Sequence, residues 1–182
     1  MNRLPVPELV ELRPDARELL TLIAPPDRSA PRTMTMLARQ PDLLAPFLGW
    51  AAALALNGTL SKRDHEIVAL RVARNCRSDF EWGEHAEYAR AAGLTDTEIS
   101  RIATAPLEPP WTAAELALLR AADELGAGSS ITDTTWQALT EHFEAAEIVE
   151  VVMVAGQYTM LSMLANATGI TLPAGLDPIP ST

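Results

Sequence analysis

The chain has 182 residues, of which 48% are hydrophobic and 21% charged, proportions that suit a protein folded around an apolar core. Its 14 basic and 24 acidic residues give a formal net charge of −10, which disfavours nucleic acid and an anionic membrane surface as partners. A local basic pocket for a small anion stays open, because Arg71, Arg74 and Arg77 lie close together in the sequence.

Apolar residues recur at three- and four-residue spacing, and alternation of β-branched residues is nearly absent. We therefore predict an all-α bundle of about seven to eight helices, in one domain spanning residues 1–182. Four successive helix starts are indicated by a Ser or Thr with an acidic residue three positions later. These starts are Ser61, Ser78, Thr95 and Thr112.

The last predicted helix, about residues 145–167, is apolar nearly all round. Its most apolar part approaches the length of a membrane span, but Glu150 and Gln157 interrupt it, which favours a core or interface helix. One small domain rarely covers such a helix alone. We therefore expect its exposed face to meet another subunit, and the protein to be a homo-oligomer.

Cys76 is the only cysteine, so no disulfide can form within the chain and a disulfide-stapled secreted domain is not expected. The first residues lack the apolar core of a signal peptide, because Pro5, Glu8 and Glu11 interrupt them. These two observations predict a cytoplasmic protein.

Glu66 falls on an otherwise apolar stripe of its predicted helix, together with Ala69, Leu70 and Ala73. A partly buried carboxylate is suited to work as a general acid or base near neutral pH. The alternative is an acidic residue near a helix start, where the helix dipole stabilises it.

On the next predicted helix, Ser78, Glu81 and His85 share one face, whereas Glu84 is expected to face solvent. A carboxylate four residues before an imidazole can orient it and favour its protonated form, as a proton shuttle requires. The structural alternative is that Ser78 and Glu81 form a capping box and that His85 only stabilises the fold.

We predict neither a metal nor another cofactor. If a metal were bound, Glu66, Glu81 and His85 would be its ligands, because a catalytic site needs about three protein ligands. His65 is expected to point about a quarter turn away from Glu66, so no second His is predicted in the site.

The span RDHEIVALRVARNCRSDFEWGEHAEYARAAGLTDTEI resembles the carboxymuconolactone decarboxylase family, whose best-known redox branch is AhpD. That branch carries a Glu, a Cys-x-x-Cys pair and a His four residues after the second Cys. Glu66 and His85 stand at the matching positions, while Ser78 and Glu81 replace the two thiols. The resemblance covers roughly residues 43–125, and the last helix resembles that of longer family members.

The resemblance implies an AhpD-like helical bundle that forms a homo-oligomer, commonly a trimer or hexamer, with a pocket near a subunit boundary. It also implies cofactor-free chemistry on small cyclic or unsaturated carbonyl compounds, the named reaction being decarboxylation of a lactone acid. Peroxide reduction by the thiol route is not expected, because it needs an attacking and a resolving thiol.

The leading hypothesis is a small-molecule enzyme in which His85 is the general acid or base, Glu81 orients it and Glu66 is a second acid or base. Ser78 would donate a hydrogen bond to substrate. Two alternatives remain: an AhpD-like peroxidase that uses Cys76, and a non-catalytic oligomeric module that binds a ligand.

Overall fold

The computed structural model describes residues 3–24, 29–105, 107 and 110–181. Within them the chain forms nine α-helices, a short 3₁₀ turn at Leu9–Glu11 and no strand. The all-α prediction is confirmed, with slightly more helices than the expected seven to eight. The helices are α1 (Pro14–Ile23), α2 (Arg32–Leu37), α3 (Pro41–Asn57), α4 (Lys62–Asn75), α5 (Asp79–Ala91), α6 (Asp96–Ile102), α7 (Ala113–Gly128), α8 (Asp133–Thr140) and α9 (Ala145–Thr168).

Hydroxyl side chains begin the helices where the sequence indicated. Ser61, Ser78, Thr95 and Thr112 each accept a hydrogen bond from the backbone N–H three residues later. Each bond satisfies one of the donors that a helix start leaves without a partner inside the helix. At Thr95 and Thr112 the capping box is complete, because the backbone N–H of each Thr also donates to the side chain of the Glu three residues later.

A tight turn joins α4 to α5. Arg77 adopts a left-handed conformation with φ 53°, and the backbone N–H of Ser78 donates to the carbonyl of Ala73 at 2.9 Å. Helices commonly end with a left-handed residue and a backbone hydrogen bond of this kind. Because the turn is short, α5 folds back along α4, and the two helices place Glu66 opposite His85.

Helix α4 lies at the centre of the protein, against α5, α7 and α9. Its Ile67, Val68 and Leu70 side chains are fully buried, as are Val151 and Val154 of α9. Each large apolar side chain removed from water in this way contributes about 1.5–3 kcal/mol to stability. A rigid core therefore holds the first turns of α4, from which Glu66 projects.

Helix α9 packs one face on this core and exposes the other. By length and composition it could cross a bilayer, but 56% of its most apolar stretch is buried within the protein, as in a core helix. Its outer face carries an apolar stripe at three- and four-residue spacing, formed by Val149, Val152, Met153, Met160 and Met163. The homo-oligomer stays a prediction, and this stripe is the surface on which it depends.

The chain after α9 returns across α5. Gly169 ends α9 with φ 78°, and the backbone N–H of Ile179 later donates to the Asp79 carboxylate at 3.2 Å. Gly83 allows the close approach, since a Cβ there would lie 2.5 Å from the Leu172 side chain. Helix α5 is thus covered on the side away from the cavity described next.

Candidate active site

A cavity of about 450 Å³ is bordered by residues of α2, α3, α4, α5 and α9. Much of its lining is aliphatic or aromatic, including Met34, Phe47, Phe80, Tyr88 and Leu161. Its polar and ionisable side chains include Lys62, His65, Glu66, Glu81, Glu84, His85, Gln157 and Tyr158. An apolar hollow with a few convergent polar groups is the usual form of a small-molecule site.

Glu66 and His85 form a hydrogen-bonded pair in this cavity. Nδ1 of His85 lies 2.7 Å from Oε2 of Glu66, and both side chains are buried. Since a carboxylate only accepts, Nδ1 carries the proton and Nε2 is the free nitrogen of the neutral ring. Burial opposes the charge of the imidazolium, but the charge of Glu66 and its hydrogen bond together raise the pKa of His85 above its ordinary value.

Glu81 approaches the other ring nitrogen. Its Oε2 lies 3.9 Å from Nε2 of His85, beyond hydrogen-bond distance, and its Oε1 is buried without a hydrogen-bond partner in the described part of the chain. Burial raises the pKa of Glu81 to about 7. Glu66 therefore orients the imidazole, a role that the sequence assigned to Glu81. The reason is geometric, because Glu66 reaches the ring from the neighbouring helix.

Ser78 lies outside the cavity lining. It is fully buried, and its hydroxyl accepts the backbone N–H of Glu81 at 3.4 Å as the cap of α5. The Glu81 side chain does not complete the reciprocal box, because it turns towards His85. The geometry thus gives Ser78 a capping role and offers no support for the predicted hydrogen bond to substrate.

Two residues that sequence reasoning left out of the site stand beside His85. The Tyr158 ring meets the His85 ring edge to face with centroids 4.2 Å apart, and its hydroxyl lies 2.9 Å from Nε2 of His65. Burial lowers the pKa of His65 and raises that of Tyr158, so near pH 7 both are neutral and share one hydrogen bond between the phenol hydroxyl and Nε2. The expectation that His65 stays out of the site was wrong.

Glu84 was expected in solvent, yet it is buried and lines the cavity. Glu84 would face solvent only if α5 buried a single face. The cavity and the C-terminal chain instead enclose α5 from two sides, so most of its circumference is covered. The cavity therefore contains three carboxyl groups, those of Glu66, Glu81 and Glu84.

The proposed metal ligands do not surround a common point. Glu66 approaches Nδ1 of His85 and Glu81 approaches Nε2, on opposite edges of the ring. Across residues 3–24, 29–105, 107 and 110–181, no group of three or more His, Cys, Asp and Glu side chains is spaced to hold a metal ion. The donor set suits proton transfer better than metal coordination.

A second cavity, of about 740 Å³, is lined by Arg71, Arg74 and Arg77, where the sequence left open an anion pocket. The Arg71 side chain is buried and holds Asp123 through two hydrogen bonds of 2.6 and 2.8 Å, as well as two backbone carbonyls. Arg74 also donates to a backbone carbonyl, at 3.1 Å. Two of the three cations therefore stabilise the fold, and the smaller cavity is the better candidate for chemistry.

Cys76 is half-buried at the C-terminal end of α4 and packs against the core. It lies outside the lining of the cavity that contains His85. Its backbone carbonyl accepts a hydrogen bond from Asn166 of α9 at 2.8 Å. These contacts give Cys76 a packing role at a junction between helices.

Residues 41–124 match the family model described as the carboxymuconolactone decarboxylase family. This segment is similar to the carboxymuconolactone decarboxylase family. It contains Glu66, Ser78, Glu81 and His85, and with one cysteine in the whole chain it lacks the thiol pair of the redox branch. The resemblance noted from the sequence is confirmed. No curated protein matches the chain.

Solved structures show that the fold extends beyond this segment. An uncharacterised peroxidase-related protein from Ralstonia eutropha JMP134, described as an alkylhydroperoxidase AhpD core, superposes with TM-score 0.82 at 22% identity, covering 94% of this chain and 92% of that one. Another from Silicibacter sp. TM1040 gives TM-score 0.81 at 19% identity, covering 94% and 90%. A cysteine-to-alanine variant of the debrominase Bmp8, in complex with 2,3,4-tribromopyrrole, superposes with TM-score 0.75 at 12% identity, and the superposition covers 96% of this chain and 92% of that one. The chain has the AhpD-like fold.

Proposed function

We propose that this protein is a cofactor-free enzyme that transfers protons on a small cyclic or unsaturated carbonyl compound, with decarboxylation as one form of that chemistry. The observation that carries the proposal is the buried hydrogen bond of 2.7 Å between Glu66 and His85, inside an apolar cavity. The pair resembles the base and orienting carboxylate of many acid–base catalysts.

His85 would act through Nε2. As a base, Nε2 removes a proton from the carbon beside the substrate carbonyl, and the C–H electron pair forms an enolate. The Glu66 carboxylate holds the ring and stabilises the imidazolium that results. Glu81, neutral up to about pH 7, would donate its O–H hydrogen bond to the enolate oxygen. The imidazolium then returns the proton to a different carbon, so that the substrate isomerises and the enzyme is restored.

For decarboxylation the same groups would act in another order. The C–C bond to the carboxylate breaks and CO₂ leaves, while the electron pair of that bond stays on the substrate as an enolate. The His85 imidazolium then protonates this enolate at carbon. The two versions differ in what enters the cavity, since only decarboxylation brings in a carboxylate.

The comparisons support a small ring as ligand. The debrominase with this fold is described in complex with 2,3,4-tribromopyrrole, a flat ring with a mostly apolar surface. The cavity here is lined by aromatic side chains that can pack on such a ring.

Thiol peroxidase activity is the weaker candidate, supported by the peroxidase-related neighbours. Cys76 would have to attack peroxide from outside the cavity and find its resolving thiol on another molecule. The test is peroxide consumption by Cys76→Ala, which should equal that of the unmodified protein. A loss of peroxide consumption in this variant would favour the peroxidase.

The experiment for the main proposal measures solvent deuterium incorporation into a panel of cyclic ketones and enones, and CO₂ release from the corresponding keto and lactone acids. His85→Gln and Glu66→Gln should each reduce the rate by about 100-fold or more. Glu87→Gln, an exposed change on the same helix, is the matched control and should retain full activity.

Melting temperatures measured in parallel distinguish catalysis from folding. The proposal expects both variants to stay folded while they lose turnover. If they unfold, or if turnover persists in the folded variants, the pair is structural and the cavity only binds a ligand, as in the non-catalytic hypothesis.

A further inference from the structure

Two residues that line the cavity from different helices each keep a buried oxygen without a hydrogen-bond partner in the described part of the protein. These atoms are Oε1 of Glu81 on α5 and Oε1 of Gln157 on α9. A buried polar atom that has left water without gaining a partner is destabilising, and such atoms are rare in native proteins. Where two of them border one cavity, a ligand is the natural partner.

Each oxygen requires a particular group from the ligand. The side-chain carbonyl of Gln157 only accepts, so the ligand must present an N–H or O–H to it. Glu81 in its neutral form can donate to a ligand carbonyl or hydroxyl, and it can also accept. The aromatic and aliphatic residues around them suit a flat apolar skeleton.

The charges of the cavity favour an uncharged ligand. The imidazolium of His85 is already matched by Glu66 at 2.7 Å. Lys62, the other cation among the described lining residues, donates its ammonium hydrogen bond to the carbonyl of Ala55 and is exposed. Among the described lining residues, a bound anion would therefore find Lys62 only at the solvent-exposed edge and no buried cation that lacks a carboxylate partner. Burying an unpaired charge is strongly unfavourable.

We propose that the cavity selects an uncharged, flat, mostly apolar ligand bearing an N–H or O–H group, and that Gln157 is the residue that recognises this group. The inference deepens the proposed function by naming its substrate class, and it rests on that function only for the choice of cavity. An uncharged substrate favours isomerisation over decarboxylation.

The test compares three probes with the full chain at equilibrium: 2-naphthol, 2-methoxynaphthalene and 2-naphthoate, followed by their fluorescence. The first two share one skeleton and differ in the O–H group, and the cavity of about 450 Å³ has room for both. The protein should bind 2-naphthol about tenfold tighter than the ether, the factor expected for one buried hydrogen bond. It should bind 2-naphthoate more weakly than 2-naphthol.

Gln157→Leu should bring the two neutral probes to about equal affinity. Ser162→Ala is the matched control, because the Ser162 hydroxyl is a third buried oxygen without a partner, on the same helix but outside the cavity lining. This control should preserve the preference for 2-naphthol.

Equal binding of 2-naphthol and its ether by the unmodified protein would overturn the proposal without any variant. So would a preference retained in folded Gln157→Leu, or tighter binding of 2-naphthoate than of 2-naphthol. Binding is measured without turnover, so the two proposals can fail separately. If the protein prefers 2-naphthol but catalyses no proton exchange, only the proposed function is refuted. Proton exchange without the preference would remove only this inference.

Discussion

Glu81 lies 3.9 Å from Nε2 of His85, while Glu66 holds the opposite nitrogen at 2.7 Å. The two carboxyl groups therefore differ in role although they flank one ring. Glu66 has a hydrogen-bond partner. Glu81 is buried with one oxygen unsatisfied, and its pKa rises to about 7. A carboxylic acid that keeps its proton near neutral pH is the form in which Glu81 can donate to a substrate.

The raised pKa of Glu81 predicts how stability depends on pH. Folded Glu81 keeps its proton up to about pH 7, whereas the unfolded chain releases it near 4.5. Between pH 4.5 and about 7 the protein therefore takes up a proton when it folds. The contribution of Glu81 to stability is full below pH 4.5 and is lost as pH rises towards 7 and above. The difference between the pKa values of Glu81 in the folded and unfolded states corresponds to about 3 kcal/mol of stability.

Glu81→Gln, which mimics the neutral acid, should have nearly the stability of the unmodified protein at pH 5 and exceed it by up to about 3 kcal/mol at pH 8. Urea unfolding at several pH values measures this difference. Comparison at each pH cancels the opposite contribution of His65, whose lowered pKa makes stability rise with pH below 6.5. Parallel stability curves for the two proteins would show that Glu81 is ionised in the folded state.

Tyr158→Phe removes the hydroxyl that bonds to His65 while keeping the ring against His85. Because it leaves Nε2 of a buried imidazole without a partner, the variant should lose about 1–3 kcal/mol of stability. Denaturant titration of the single variants and of the double variant with His65→Leu isolates the pair. Tyr158→Phe should reduce stability clearly less when His65 is already replaced by Leu. Equal losses of stability with and without His65→Leu would show that Tyr158 and His65 are not coupled.

The exposed stripe of α9 predicts self-association, and the family resemblance implies a trimer or hexamer. Val152→Glu combined with Met160→Glu places two charges on that stripe and should dissociate the assembly in light scattering after size-exclusion chromatography. Val10→Glu is the control, because Val10 is an 80% exposed apolar residue far from α9 in sequence and should not alter the mass. A monomeric unmodified protein at micromolar concentration would contradict the prediction.

Local patterns sufficed to predict much of the fold. The capping residues marked where α4, α5, α6 and α7 begin. Helix periodicity identifies which residues share a face, and that information lies within one helix. The family motif added the match of Glu66 and His85 across two helices.

The rest of the site depends on long-range packing. Tyr158 meets His65 across 93 positions of sequence, a contact that no periodicity reveals. Gln157 was noted only as a polar interruption in an apolar helix, which in retrospect marked the cavity wall. Glu84 was misassigned because the C-terminal chain covers α5 from outside, leaving its remaining face to the cavity.

NMR of the His85 ring nitrogens shows whether Glu66 and His85 form one acid–base unit. The unmodified protein should show the proton on Nδ1 in the neutral ring and a pKa above the ordinary 6.5, and Glu66→Gln should lower that pKa. A neutral ring protonated on Nε2, or a pKa at or below 6.5 that Glu66→Gln leaves unchanged, would show that the two residues do not act as one unit.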